Sequence, residues 1–173
     1  MSLLNLTPQS PKWEVSNQVE GFLKGLGLSI LNRDFERPWG GFFVIDENQI
    51  KSFASTFFEE VNLTAQQLDM KLSPKILVVS PGARLSWQYH HRRAELWNLI
   101  AGKAGIVRSQ TDAEGKQESM QIHQIVSLSQ GERHRLVGLD NWGVVAEIWM
   151  HTDPTHPSDE SDIVRLSDDY SRT

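Results

Sequence analysis

The 173-residue chain contains no cysteine. That absence excludes disulfides, zinc–thiolate sites and thiol nucleophiles together, and leaves His, Asp, Glu and neutral oxygen donors for any metal. Long apolar runs are missing too. No segment approaches the length that spans a bilayer, and residues 1–13 are polar and broken by proline, unlike a secretory leader. A soluble, cytoplasmic protein with no membrane partner is the expectation. Nor is there an excess of positive charge: 17 Lys and Arg stand against 22 Asp and Glu, for a formal net charge of -5. With the basic residues scattered among acids, no nucleic-acid partner is expected. Low-complexity linkers and internal repeats are also absent, and the length suits one domain with a sizeable core.

What is present divides near Ser73-Pro74. Residues 1–73 read as a helical and irregular extension that includes the first barrel strand or strands. Residues 74–173 read as the core and its tail, the whole forming one structural domain. In the first part, residues 16–26 fit a short helix capped by Ser16. Residues 50–61 place Ile50, Phe53, Ala54, Phe57, Phe58 and Val61 at helical spacing. Residues 42–45 are a candidate strand. After Pro74 the texture becomes short β runs at 75–79, 84–90, 96–101, 105–108, 120–128, 134–137 and 143–150. Gly82, Gly102, Gly115, Gly131 and Gly138 punctuate them at turn-like intervals, as in an antiparallel barrel or sandwich. Residues 152–173 read as an irregular extension with one short strand at 163–166.

Residues 81–102 carry the chemistry. If 84–90 is a strand, alternation puts Arg84, Ser86, Gln88 and His90 on one face and Leu85, Trp87 and Tyr89 on the other. A four-residue turn then brings Glu95 to the start of the next strand, where an antiparallel return sets its carboxylate beside Gln88 and His90. His134, just after the turn glycine Gly131, opens another β run and offers a fourth ligand. Two imidazoles, a carboxylate and an amide oxygen suit one borderline divalent ion, with zinc favoured and manganese, iron, cobalt or nickel possible.

The segment resembles the first cupin motif, in which Gly82, Gln88, His90, Glu95 and Gly102 fill the pattern without a gap. Gly131 and His134 fit the second motif, where Ser129 and Gly138 replace the expected proline and asparagine. Gln88 stands where most cupins have histidine. Leu85-Ser86 and Gln88 through Trp97 are similar to the signature of type II phosphomannose isomerases. The same family is suggested by Arg37-Pro38-Trp39-Gly40, His134-Arg135-Leu136 and the tail Asp-Ile-Val-Arg-Leu-Ser-Asp-Asp-Tyr-Ser-Arg at 162–172. The resemblance implies an all-β fold: a single cupin barrel, or double-stranded β-helix, with a short helical N-terminal extension. In that family the cupin is often one half of a bifunctional enzyme that also makes GDP-mannose. No glycine-rich nucleotide-binding half is found in these residues, so guanylyltransferase activity is not expected.

The resemblance further implies a metal-dependent aldose–ketose isomerase of a small-molecule sugar phosphate, with mannose 6-phosphate to fructose 6-phosphate as the leading reaction. Glu147, in an otherwise apolar strand, matches a family glutamate and is the preferred catalytic base over His91. Arg84, Arg93, Arg135 and Arg165 are candidate phosphate ligands, because guanidinium groups bind phosphate bidentately. Two other readings stay open: a non-catalytic cupin that binds a sugar or sugar phosphate, and a metal-dependent cupin oxygenase. A homodimer is expected if the face bearing Leu85, Trp87 and Tyr89 is left bare, and a monomer if the helix bearing Phe53, Phe57 and Phe58 covers it.

Overall fold

The computed structural model describes residues 4–171, so Arg172 at the end of the tail motif and residues 1–3 lie outside the described residues. Helix α1 (Lys12–Gly25) follows Pro11 and aligns Val15, Val19 and Leu23, all with no exposed surface, on one stripe. It begins four residues before the expected cap: Ser16 is buried within the helix rather than capping it. Strands β1 (Ile30–Asp34) and β2 (Gly40–Ile45) form a hairpin. Helix α2 (Ile50–Phe57) buries Ile50, Phe53, Ala54 and Phe57, then stops because Phe58 leaves the helical conformation at φ -135°. A short helix α3 (Ala65–Leu68), started by a Thr64/Gln67 capping box, precedes β3 (Lys75–Val79).

The rest is antiparallel sheet: β4 (Trp87–His90), β5 (Arg93–Ser109), β6 (Gln117–Ser119), β7 (Ile125–Leu128), β8 (Arg133–His151) and β9 (Ile163–Ser167). The architecture turns on β5 and β8, which are each one long strand where the sequence suggested two. Their N- and C-terminal halves belong to different layers. Residues 143–151 of β8 pair with residues 93–102 of β5 and with β3, giving a sheet that runs β1-β2-β3-β8-β5-β7. Residues 133–138 of β8 pair with residues 104–109 of β5 and with β4, giving a second layer, β9-β4-β8-β5-β6. This is the two-layer barrel of a cupin, with a small helical extension at its N-terminus.

Gly102 and Gly138 therefore do not mark turns between strands. Gly102, at φ 71°, sits at a bulge where a Cβ would come 1.8 Å from the Trp142 carbonyl oxygen. A Cβ on Gly138 would come 1.9 Å from the Ser80 carbonyl oxygen. Both glycines let backbone pass close by while the strand continues and bends from one layer into the other. The expected run at 120–128 is in turn divided, because the chain turns at His123, with φ 65°, before β7.

Helices α1 and α2 cover the outer face of the first sheet, where Phe43, Ile45, Ile76, Val78, Val144, Ala146 and Ile148 meet Val19, Leu23, Phe53 and Phe57. The aromatic helix thus does not lie over the β4 face. That face is also not built as alternation suggests, since β4 begins only at Trp87 and its pairing with β9 shifts between Trp87 and Gln88. Leu85 turns toward the interior, Trp87 is buried with Val107 and Val137, and Tyr89 lies beneath the Arg133 guanidinium at 4.4 Å. Among the described residues no helix is long and apolar enough to cross a membrane.

Candidate metal centre

Inside the barrel, strand alternation aims Arg93, Glu95, Trp97 and Leu99 of β5, and Val145, Glu147 and Trp149 of β8, at one cavity of about 430 Å³ or the core beneath it. His90 ends β4 and His134 lies near the start of β8, with Gln88 paired directly to His134 across the strands. His90, Glu95 and His134 are 1–2% exposed, and their ligand atoms lie within 4.8 Å of one another. Glu95 bridges the imidazoles: its Oε1 is 3.1 Å from His90 Nε2 and its Oε2 is 3.3 Å from His134 Nε2. Gln88 lines the same cavity, its Oε1 accepting a 2.6 Å bond from the Ser86 hydroxyl.

Three buried atoms of this cluster, His90 Nδ1, Glu95 Oε2 and His134 Nε2, make no hydrogen bond. Burying polar atoms without partners is costly, and one ligand atom from each of the three residues lies within 4.8 Å of the others, so the cluster fits a cation. The His134 ring is held for that purpose, with Nδ1 donating to the Glu132 carbonyl at 2.9 Å and Nε2 left as the ligand atom. Electrostatics agree. Burial disfavours charge at all three residues, yet His90 and His134 together hold the Glu95 carboxyl well below its ordinary range. At His134 burial is outweighed by Glu95 and the imidazole rises, whereas at His90 burial wins and the imidazole falls. The site thus keeps an anion and a neutral imidazole ready, and the residues present fit a divalent metal.

Glu147 stands on the neighbouring strand, 6% exposed. The Trp97 indole N–H donates to its Oε1 at 3.0 Å and the Trp149 indole N–H to its Oε2 at 3.2 Å. Burial, and after it the charge of Glu95, push its carboxyl up to about 7. His91, one residue from His90, is exposed in the β4–β5 turn and meets the Tyr89 ring in a T-shaped contact with centroids 5.1 Å apart.

The four candidate arginines separate. Arg93 and Arg165 line the cavity. Arg93 is 3% exposed and fully engaged: it donates to Glu95 at 2.8 Å and to Ser158 at 2.9 Å, and it stacks on Trp149 at 3.6 Å. Arg84 and Arg135 are not brought to the cavity. Both reach Asp169 of the tail, Arg84 through two bonds of 2.8 and 2.9 Å, and Arg135 also bonds Glu114 at 2.7 Å. Arg135 points outward because it alternates with His134; Arg84 does so because it precedes the strand whose alternation was to aim it inward. Arg37, Trp39 and Lys75 also line the cavity and were not among the expected site residues. Lys75 was legible as the lone charge opening an apolar β run, and Arg37 and Trp39 belong to a motif that had been noted without a role.

The tail is part of the site. Asp162, 5% exposed, accepts bonds from the Arg92 and His91 backbone N–H groups at 3.0 and 3.2 Å and from the Ser158 hydroxyl at 2.7 Å. This clamp starts β9 along β4, and Glu160, Ile163 and Arg165 then wall the cavity.

Residues 63–168, more than half of the chain, match the family model for the mannose-6-phosphate isomerase C-terminal domain. The chain is 28% identical over 160 residues to the xanthan biosynthesis protein XanB of Xanthomonas campestris, covering 92% of this chain and 28% of that protein. It is also 28% identical over 143 residues to a mannose-1-phosphate guanylyltransferase of Salmonella montevideo, covering 83% and 24%. The chain thus spans about a quarter of the length of these curated relatives. Among solved structures, oxalate decarboxylase of Bacillus subtilis superposes with a TM-score of 0.51 at 20% identity, over 76% of this chain and 29% of that one. The capsular polysaccharide assembling protein CapF of Staphylococcus aureus gives 0.50 at 15%, over 80% and 34%. Likeness at that level speaks to fold alone, and with the motif-bearing residues matched by the family model it leads to one statement: the chain is a cupin belonging to the mannose-6-phosphate isomerase C-terminal family.

Proposed function

We propose that this protein is a metal-dependent aldose–ketose isomerase acting on sugar phosphates, with mannose 6-phosphate to fructose 6-phosphate as its leading reaction. The observation that carries the reading is Glu147. It is a buried carboxylate, held by two indole N–H groups, whose pKa is raised to about 7 in the cavity that also contains the His90–Glu95–His134 cluster. Isomerisation needs a group that takes a proton from carbon and returns it one carbon away, and such a group works best with a pKa near the working pH. Glu147 takes the C2 proton of the aldose and delivers it to C1 while the O2 hydroxyl proton passes to O1, and Trp97 and Trp149 keep the carboxylate oriented. His90, Glu95, His134 and Gln88 would hold the divalent ion, zinc favoured, which polarises the sugar's carbonyl and hydroxyl oxygens when bound. Arg93 fixes Glu95 through its 2.8 Å bond and adds positive charge to the cavity wall. Arg165 adds charge from the tail.

A coupled assay for fructose 6-phosphate formed from mannose 6-phosphate tests the proposal. Turnover above that of a chelator-treated control is the expected result. Tight sugar-phosphate binding without turnover would replace the isomerase with a sugar-phosphate-binding cupin, and substrate-dependent oxygen uptake would replace it with an oxygenase.

A further inference from the structure

Five tryptophans are buried, and four of them spend their indole N–H on a protein oxygen. Trp87 donates to the Asp112 carbonyl at 2.7 Å, Trp142 to the Ser10 carbonyl at 3.1 Å, and Trp97 and Trp149 to Glu147. Trp39 is the exception. It is 5% exposed and lines the cavity, yet its Nε1 has no partner. A buried indole N–H without an acceptor is unfavourable, and Trp has no acceptor of its own to offer. Arg37, two residues earlier in the same turn, repeats the pattern. Its Nε is buried and lies 2.8 Å from Asp34 Oδ2, but off the N–H direction, so charge attraction exists there without a hydrogen bond. Two unsatisfied donors thus come from one Arg-Pro-Trp-Gly turn.

That turn is rigidly built. The Lys12 ammonium of α1 donates to the Phe35 and Arg37 carbonyls at 3.2 and 2.8 Å, and Ser80 N–H donates to the Trp39 carbonyl at 2.9 Å. Gly40 follows at φ 140°, where a Cβ would come 1.9 Å from the Val78 carbonyl oxygen, so the turn lies flush against β3. Next to it, Lys75 and Arg37 converge on the Phe42 ring at 6.0 and 5.7 Å. Lys75 is paired with Glu160, whose side chain is 70% exposed and sits on the tail. One solvent-reaching carboxylate is readily exchanged for a ligand anion.

We infer that Arg37, Trp39 and Lys75 form the phosphate subsite of the cavity. Trp39 donates its indole N–H to a phosphate oxygen, Arg37 and Lys75 supply the charge, and Glu160 occupies the ammonium until the ligand arrives. The inference rests on the proposed sugar-phosphate reading and gives the Arg-Pro-Trp-Gly turn the role of distinguishing a phosphorylated sugar from a free one. All three side chains are donors only, so the group they accept must be rich in acceptors and negative.

The test is binding to the metal-loaded protein, with no turnover required. Calorimetry with mannose 6-phosphate and with mannose compares wild type, Trp39→Phe, which keeps the ring and loses the N–H, and Lys75→Met. We expect the affinity for mannose 6-phosphate to fall about 10-fold in each variant and that for mannose to stay unchanged. In parallel, the indole N–H resonance absent from Trp39→Phe identifies Trp39 in the wild-type spectrum, and it should shift on addition of mannose 6-phosphate or inorganic phosphate but not of mannose. Equal affinity in wild type and both variants, with a Trp39 resonance that does not move, overturns the subsite and leaves the isomerase standing. The expected shifts without any turnover sustain the subsite and overturn the isomerase. No binding of either phosphate by wild type overturns both.

Discussion

The two ends of the cavity are built by different means. At the inner end every reactive side chain projects from a paired strand, and register sets the spacing: Gln88 opposite His134, Glu95 opposite Trp149, Trp97 opposite Glu147. At the mouth the charged groups come from a turn, the first residue of β3 and the tail, and Arg37 and Lys75 are held by ion pairs with acids that reach solvent, Asp34 and Glu160. The difference separates chemistry from admission. Strand register holds the buried His90–Glu95–His134 cluster and Glu147 at fixed spacing, whereas a ligand can displace a surface ion pair at little cost.

The largest effect that would break this contrast lies at the inner end. His90→Ala should abolish metal retention, which elemental analysis of protein purified without chelator would read as a loss from about one ion per chain to none. His91→Ala should leave that ratio intact, because His91 is exposed in the turn. Equal loss in both would mean that strand register does not define the site.

Glu147→Gln should come next, lowering kcat by about 10²–10⁴-fold with the metal retained. Its pH dependence follows from a folded pKa raised to about 7. The base form is lost as pH falls through that value, so kcat/KM should decline on the acid side. A cation at the cluster adds positive charge and draws the limb lower, into the interval between an ordinary carboxylate and 7. The Gln variant should show no such limb, and an unchanged limb would assign the proton to another group.

At the mouth a smaller effect is expected. Asp162→Ala removes the acceptor for two backbone N–H groups, the Ser158 hydroxyl and Arg92, and should cost about 2–4 kcal/mol of stability, visible as a lower Tm. Burial alone would raise this carboxyl, but its hydrogen bonds with Ser158 and Arg92 hold it below the ordinary Asp value. With a depressed folded pKa, the stabilisation is present above the unfolded value and is lost as pH falls through the folded one. Wild type and variant should therefore converge in acid. A constant difference at all pH values would show that the clamp is steric.

How far these regions were legible in the sequence follows from how they are built. The cupin spacing from Gly82 to Gly102 could be read directly, whereas Glu147 was picked out only by resemblance, and its place in the cavity follows from the alternation of β8. Parity failed at Arg84 and Leu85, where no strand has yet begun, and at Gly102 and Gly138, where a bulge and a close backbone approach replace turns. The covering helix was legible as amphipathic, but which sheet it covers was not, since that depends on β5 and β8 crossing between layers. Trp39 stood in a recognised motif but carried no role, because an indole reads as core until its N–H is found without a partner.

The smallest expected effect concerns self-association. A two-fold dimer was expected from a bare Leu85, Trp87 and Tyr89 face, but Leu85 faces the cavity and Trp87 is 2% exposed. Among the described residues the exposed large apolar side chains are Trp13, Leu31, Ile122 and Leu166. They stand on α1, on β1, between β6 and β7, and on β9, so they form a scatter over separate elements. Stable pairing needs a contiguous patch of about 1,000 Å² or more in total, and isolated exposed apolar residues are ordinary surface. The open edge of β1 offers little more, because its register shifts between Ile30 and Asn32 and a bulge interrupts any added strand. A homodimer of this chain should therefore be a weak one. Light scattering over a range of concentrations should show a mass that climbs from 19.7 kDa toward twice that value only as the protein is concentrated. A constant doubled mass down to the lowest concentration would show that an extensive apolar face pairs the chains after all.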